Sequence, residues 1–198
     1  VIAALFGLIL GVIVLGYAFL VYRGLKALPA GNDKMKEISA AIEEGAMVFL
    51  NREYRIIGVF VVVVFILLGI FIGWKAAIAY LGGAVCSILA GFFGMKSATK
   101  ANVRTAQAAA TEGQGGALSV AFKGGNVMGL SVAGLGLLGL SVAFVFGIGL
   151  PDNPTDPSAL ALFAQNFAEV IGGFAMGAST VALFARIGGG IFTKAADV

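Results

Sequence analysis

The sequence predicts an all-α polytopic membrane protein, with five transmembrane helices in a single bundle that covers residues 1–198. Hydrophobic residues make up 60% of the 198 positions and charged residues only 12%. A soluble domain of this length cannot bury so much apolar surface, so lipid must cover much of it. The apolar residues also fall in runs near the length of about 20 residues that one bilayer crossing needs.

Five apolar segments can be separated along the chain. They cover residues 1–22, 56–74, 76–95, 124–150 and 159–185. Only Lys75 stands between the second and third segments, and this short connection predicts a tight helical hairpin.

The basic residues predict the orientation of the bundle. Twelve of the thirteen Lys and Arg residues lie in 23–55, in 96–123 or after 185, and Lys75 lies on the opposite side. Because cytoplasmic loops are enriched in Lys and Arg, we expect the N-terminus outside and the C-terminal end in the cytoplasm. The cations lie between apolar runs rather than on one polar face, so the net charge of +3 predicts no nucleic-acid partner.

The second segment is expected to begin well before the membrane, as one helix over about 33–74. Asp33 is a residue type that caps helices, and no proline interrupts the stretch that follows. The helix carries one apolar stripe at helical spacing, formed by Ile38, Ile42, Ala46 and Phe49, and Lys36, Glu43 and Glu44 are expected to point away from it.

The third segment is expected to continue into the cytoplasm until the glycine-rich stretch 113–116 ends it. Lys96, Lys100 and Arg104 recur every four residues on one face of this extension. The pattern fits a solvated face or contact with anionic lipid, and the solvated face is favoured because lipid-binding clusters usually contain about 4–8 cations.

Small residues at a spacing of four predict close helix packing in the last two segments. Gly125, Gly129 and Ala133 form such a row in the fourth segment, and Gly173 and Gly177 form one in the fifth. Small side chains let helix backbones approach and gain contacts that lipid cannot supply, so we expect a tight inner bundle.

The composition excludes several kinds of site. The chain has no histidine and one cysteine, Cys86. These counts exclude zinc sites built from His and Cys, a disulfide within the chain, and a Ser-His-Asp triad supplied by this chain alone.

The last two dozen residues carry the pattern with the most chemical content. In an unbroken helix Asp197 lies about 20° and Lys194 about 80° around the axis from Arg186, so all three share one arc. Lys194 can neutralise a phosphate oxygen, and Asp197 can hold Mg²⁺, which prefers carboxylate and phosphate oxygens. Arg186 lies deeper, where an ionisable group can gate an ion. The same charges also fit a purely topological role, as anchoring residues at the membrane surface.

Three stretches resemble the membrane-bound, ion-translocating pyrophosphatases. They are EISAAIEEGAMVFLNREY before the second segment, GMKSATKANVRTAQAA after the third, and GGGIFTKAADV at the end of the fifth. The resemblance implies the first third of a homodimeric enzyme with about sixteen transmembrane helices. Because the sequence starts at Val1 rather than Met and stops after Asp197, we expect a partial chain.

The resemblance also implies an activity. The family hydrolyses pyrophosphate with Mg²⁺, in some members with K⁺, and pumps H⁺ or Na⁺ across a cell inner membrane or an acidic organelle membrane. Carried over residue by residue, Lys194 and Asp197 bind substrate, Asp197 binds metal, and Arg186 forms the ion gate. No residue of this chain is predicted to be catalytic by itself, and the site requires the rest of the enzyme. The alternative is a non-enzymatic transporter or channel subunit whose terminal charges set topology.

Overall fold

A computed structural model of the chain describes residues 2–148 and 156–196, and every regular element in these ranges is helical. The elements are α1 (Ile2–Ala27), α2 (Asp33–Phe71), α3 (Trp74–Ala143), a π-helical turn (Phe144–Ile148) and α4 (Pro157–Ala196). All four α-helices are long and apolar enough to cross a membrane. The described part of the chain therefore confirms the all-α class and fits a membrane bundle.

Helix α3 is folded in two at Gly113. This residue has φ 75° and ψ −163°, a left-handed conformation that glycine adopts without the steric cost of a Cβ. The two arms, 74–112 and 114–143, lie antiparallel, since the Ser97 hydroxyl donates a hydrogen bond to the Gly124 carbonyl oxygen over 3.1 Å. The predicted break at 113–116 is thus confirmed, and predicted segments three and four lie on the two arms.

Helix α2 is the long helix that the sequence predicts, but Asn32 caps it rather than Asp33. The Asn32 side chain accepts a hydrogen bond from the Met35 backbone N–H over 2.9 Å. Asp33 is the first helical residue and pairs with Lys36 over 3.0 Å. A carboxylate in the first turn still favours the helix, because it faces the positive end of the helix dipole.

The α2–α3 hairpin turns at Gly73, so the prediction of a helix through residue 74 is wrong by three residues. Gly73 has φ 149°, and its N–H donates to the Leu68 carbonyl oxygen over 2.8 Å, which closes the end of α2. The first arm of α3 then runs back along α2, where the Tyr54 hydroxyl donates to the Ile88 carbonyl oxygen over 3.0 Å.

The stripe predicted for the start of α2 is confirmed only in its second half. Ala46 is buried and Phe49 is half-buried, but Ile38 and Ile42 are exposed. Glu43 points towards the bundle rather than away from it, and its carboxylate pairs with a lysine of the first arm of α3. The prediction for Glu43 fails because an acidic side chain can lie on a packed face when the neighbouring helix supplies a cation that pairs with it.

The basic face of the first arm serves the bundle itself. Lys100 pairs with Glu43 over 2.5 Å. Arg104 donates hydrogen bonds to the carbonyl oxygens of Leu28 and Lys26 at the end of α1, over 3.1 and 2.9 Å. Lys96 Nζ lies 5.6 Å from the centre of the Phe92 ring, so all three cations considered for lipid contact have partners within the chain.

Helix α4 packs parallel to the first arm of α3 with the two backbones in contact. A Cβ built at Gly173 would collide with the Ala76 carbonyl oxygen, and one built at Gly177 would collide with the Tyr80 carbonyl oxygen. The predicted role of this glycine pair is confirmed.

The small-residue row predicted for the fourth segment does not make such a contact. Added Cβ atoms at Gly125 and Gly129 meet nothing within 4 Å among the described residues. The second arm instead approaches α1 through Gly134, where an added Cβ would lie 2.8 Å from the Leu15 side chain and 3.2 Å from the Gly11 carbonyl oxygen. The spacing of the glycines alone cannot show which face of the second arm packs closely against another helix, because glycines occur on both faces of this arm.

Candidate functional site

The three consecutive glycines near the end of α4 do not interrupt the helix. Helix α4 is continuous from Pro157 to Ala196, so Arg186 and Lys194 lie about 12 Å apart along one axis and about 80° apart around it. Thr193 supports the last turn, since its hydroxyl donates to the Gly190 carbonyl oxygen over 3.1 Å. The unbroken helix on which the predicted charge stripe depends is therefore present through Lys194.

The charges lie on the face of α4 that the bundle does not cover. The opposite face holds its buried residues, among them Val170, Gly177 and Val181. Arg186 and Lys194 are exposed, and neither forms an ion pair with another described residue. Asp197, predicted as a substrate and metal ligand, lies outside the described residues.

Arg186 also borders a groove of about 420 Å³ between α4 and both arms of α3. The groove follows α4 from Phe174 to Arg186, about 18 Å along the axis. Its walls are small and apolar, and they include Cys86, Ser87 and Gly136. Arg186 is the one charged side chain among the described residues that line this groove.

On the packed face, the end of α4 touches a carboxylate that the sequence analysis did not single out. The Glu53 side chain of α2 lies against Gly188, so a Cβ added there would come within 2.9 Å of Glu53 Cδ and 3.2 Å of Phe49 Cζ. Glu53 Oε1 is buried and accepts no hydrogen bond from any described residue. Glu53 stands within the stretch EISAAIEEGAMVFLNREY, but only the fold reveals its contact with α4.

The described residues do not by themselves fit a Mg²⁺ site. No group of three or more His, Cys, Asp or Glu side chains that could hold a metal occurs in 2–148 or 156–196. A divalent cation at the end of α4 would therefore need oxygen ligands from residues beyond those described.

Long apolar helices packed backbone to backbone define a polytopic helical membrane protein. A profile of the family described as Inorganic H+ pyrophosphatase matches residues 12–198, and the chain belongs to that family.

Several relatives match almost the whole chain. The K(+)-stimulated pyrophosphate-energized sodium pump of Thermotoga maritima is 46% identical over 100% of this chain and 28% of its own length. A putative pump of the same kind from Clostridium tetani is also 46% identical, over 98% of this chain and 26% of its own length. The K(+)-insensitive pyrophosphate-energized proton pump of Methanosarcina mazei is 43% identical over 95% of this chain and 26% of its own length. The chain thus spans about a quarter of these relatives, less than the third that the resemblance implied.

Proposed function

We propose that the protein to which this chain belongs hydrolyses pyrophosphate and uses the free energy to move H⁺ or Na⁺ across a membrane. The observation that carries this proposal is the continuous end of α4. It presents Arg186 and Lys194 free of ion pairs with other described residues, in a chain whose relatives are pyrophosphate-energized pumps. Both side chains are exposed, and they are therefore available to an anionic substrate and to a moving ion.

Lys194 and Asp197 are the proposed substrate residues. The Lys194 ammonium group pairs with an oxygen of pyrophosphate and offsets the negative charge that builds up on the phosphate during cleavage. Asp197 stands three residues further on, within one helical turn in sequence, and is the proposed metal ligand. Mg²⁺, when bound, neutralises phosphate oxygens, and K⁺ is a second candidate cofactor because some relatives are K(+)-stimulated.

Arg186 is the proposed ion gate. It lies about 12 Å below Lys194 on the same helix, next to the groove between α4 and α3. A displacement of α4 at the substrate end would be transmitted to Arg186 through this rigid helix. That connection gives a physical route from hydrolysis to ion movement.

The proposed topology has five crossings, because α3 supplies two through its arms. The N-terminus lies outside and the end of α4 in the cytoplasm, on the side of twelve of the thirteen basic residues. Residues 1–198 form one bundle that assembles with the rest of the enzyme, which works as a homodimer in a cell inner membrane or an acidic organelle membrane.

The test is phosphate release from pyrophosphate by the full-length protein in membranes, with and without Mg²⁺. We expect Mg²⁺-dependent release, and we expect Lys194→Ala to lower kcat/KM by about 100-fold. Vesicles assayed with a pH dye and with ²²Na⁺ identify the pumped ion. A non-enzymatic transporter or channel subunit would release no phosphate, and activity unchanged in Lys194→Ala would remove Lys194 from the site.

A further inference from the structure

Glu53 of α2 is half-buried, and its Oε1 atom is buried without a hydrogen-bond partner among the described residues. Oε1 is covered by atoms of this chain, and no described residue donates a hydrogen bond to it. A carboxylate oxygen sealed in this way costs folding free energy, because it loses water and gains nothing in return. Such a group therefore calls for a functional explanation.

Glu53 Oε1 lies next to one particular level of α4. It lies against Gly188 of α4, two residues after Arg186 and six before Lys194, about 160° around the helix axis from Arg186 and about 120° from Lys194. Along the axis the contact is about 3 Å from the level of Arg186 and about 9 Å from that of Lys194. The Glu53 carboxyl group therefore supports, from behind, the segment that carries both proposed functional cations.

The glycine at position 188 makes this contact possible. A methyl group there would occupy the position of Glu53 Oε1 and approach the Phe49 ring. The next glycine, Gly189, has nothing within 4 Å of an added Cβ among the described residues. Two adjacent glycines of the same helix therefore differ in their surroundings, because a methyl group at position 188 displaces the Glu53 side chain and crowds the Phe49 ring, whereas one at position 189 meets no described atom within 4 Å.

We infer that Glu53 is a positioning residue for the proposed active site, acting through its contact with Gly188 to fix the height and rotation of α4 at Arg186 and Lys194. This inference rests on the proposed function. A tight contact at this level matters because displacing a substrate-binding group by about 1 Å can cost up to about 100-fold in rate.

The experiment compares Glu53→Ala, Gly188→Ala, the double variant and Gly189→Ala in the full-length protein, with kcat and KM for pyrophosphate hydrolysis measured per folded molecule. We expect Glu53→Ala and Gly188→Ala each to lower kcat/KM about tenfold. Because both remove the same contact, the double variant should lose no more than the worse single variant. Gly189→Ala should behave as wild type. A glycine-to-alanine change strengthens a helix, so a loss in Gly188→Ala cannot come from helix weakening.

Two results would overturn the inference. One is wild-type kinetics in both single variants, and the other is a double variant whose losses multiply, since independent effects multiply. Glu53→Gln keeps the shape of the side chain and should retain most of the activity. If Gly188→Ala does not fold, a Glu53→Gln variant as impaired as Glu53→Ala overturns the inference instead. A wild-type protein that releases no phosphate refutes the proposed function itself, which is a separate outcome.

Discussion

The two faces of α4 differ in how far this chain completes them. One face meets the first arm of α3 through Gly173 and Gly177, where backbone lies against backbone. The other face carries Arg186 and Lys194, which are exposed and form no ion pair within the described residues. The described residues therefore supply packing partners for one face of α4 but no ion-pair partners for the charges on the other face. Under the proposed function the packed face fixes the helix and the charged face serves a ligand, and four predictions test this division.

The largest effect is expected at the packed face. Gly177→Ala places a methyl group against the Tyr80 carbonyl oxygen, and a backbone atom cannot turn aside as a side chain can. We expect a loss of about 3 kcal/mol in the free energy of unfolding, at the upper end for overpacking, seen as a lower melting temperature in detergent. Gly172→Ala is the matched control, because its added Cβ meets nothing within 4 Å among the described residues. Equal melting temperatures would show that the two helices do not pack through Gly177.

The charged face should respond in function rather than in stability. Arg186→Ala removes the exposed guanidinium group next to the groove, and we expect the ratio of ions pumped to pyrophosphate hydrolysed to fall roughly tenfold. The melting temperature should stay near that of the wild type, because the side chain makes no ion pair with the described residues. Vesicles that pump normally with this variant would refute the gate role.

An intermediate case is the ion pair that joins α2 to the first arm of α3. Lys100 and Glu43 are about three-quarters buried, with 27% and 28% of their side-chain surfaces exposed. We expect Lys100→Ala to lower the free energy of unfolding by about 1 kcal/mol. Lys34→Ala is the control, since the Lys34–Glu37 pair is 71% exposed on both sides and should contribute little. Equal effects of the two changes would contradict the structural role of Lys100.

The smallest effect is expected at the start of α4. Asp156 accepts hydrogen bonds from the hydroxyl and the backbone N–H of Ser158, and these bonds lower the pKa of Asp156. A carboxyl group whose pKa is lower in the folded state stabilises the fold above its unfolded pKa, and this stabilisation is lost as the pH falls through the folded pKa. Asp156→Ala should therefore speed hydrogen exchange in the first turn of α4 at pH 7 and have little effect at low pH. Asp156→Asn, which also caps helices, should be nearly neutral. A pH-independent effect of Asp156→Ala would contradict this explanation.

The sequence predicted the helical elements well, because each depends on neighbouring residues. The fold of α3 at Gly113 follows from a glycine-rich stretch, and the length of α2 follows from the absence of breakers. The continuity of α4 through its three glycines does not follow from helix propensity, since each glycine costs about 1 kcal/mol relative to alanine and the flanking Ile187 and Ile191 are only moderate helix formers. The end of α4 could be predicted as a candidate site because the spacing of its charged residues can be read from one short stretch of the sequence.

Only the tertiary structure decided which faces meet. The sequence pattern gave the glycine rows of the fourth and fifth segments equal standing, and the fold uses Gly173 and Gly177 but leaves Gly125 and Gly129 open. It also turned Glu43 inward and placed Glu53 behind Gly188. Helical periodicity specifies the angle at which each side chain projects from the axis of its helix. This angle can be read from a single segment of the sequence. The neighbour that occupies that angle depends on how distant segments pack, and this is set by contacts that no local stretch of sequence encodes.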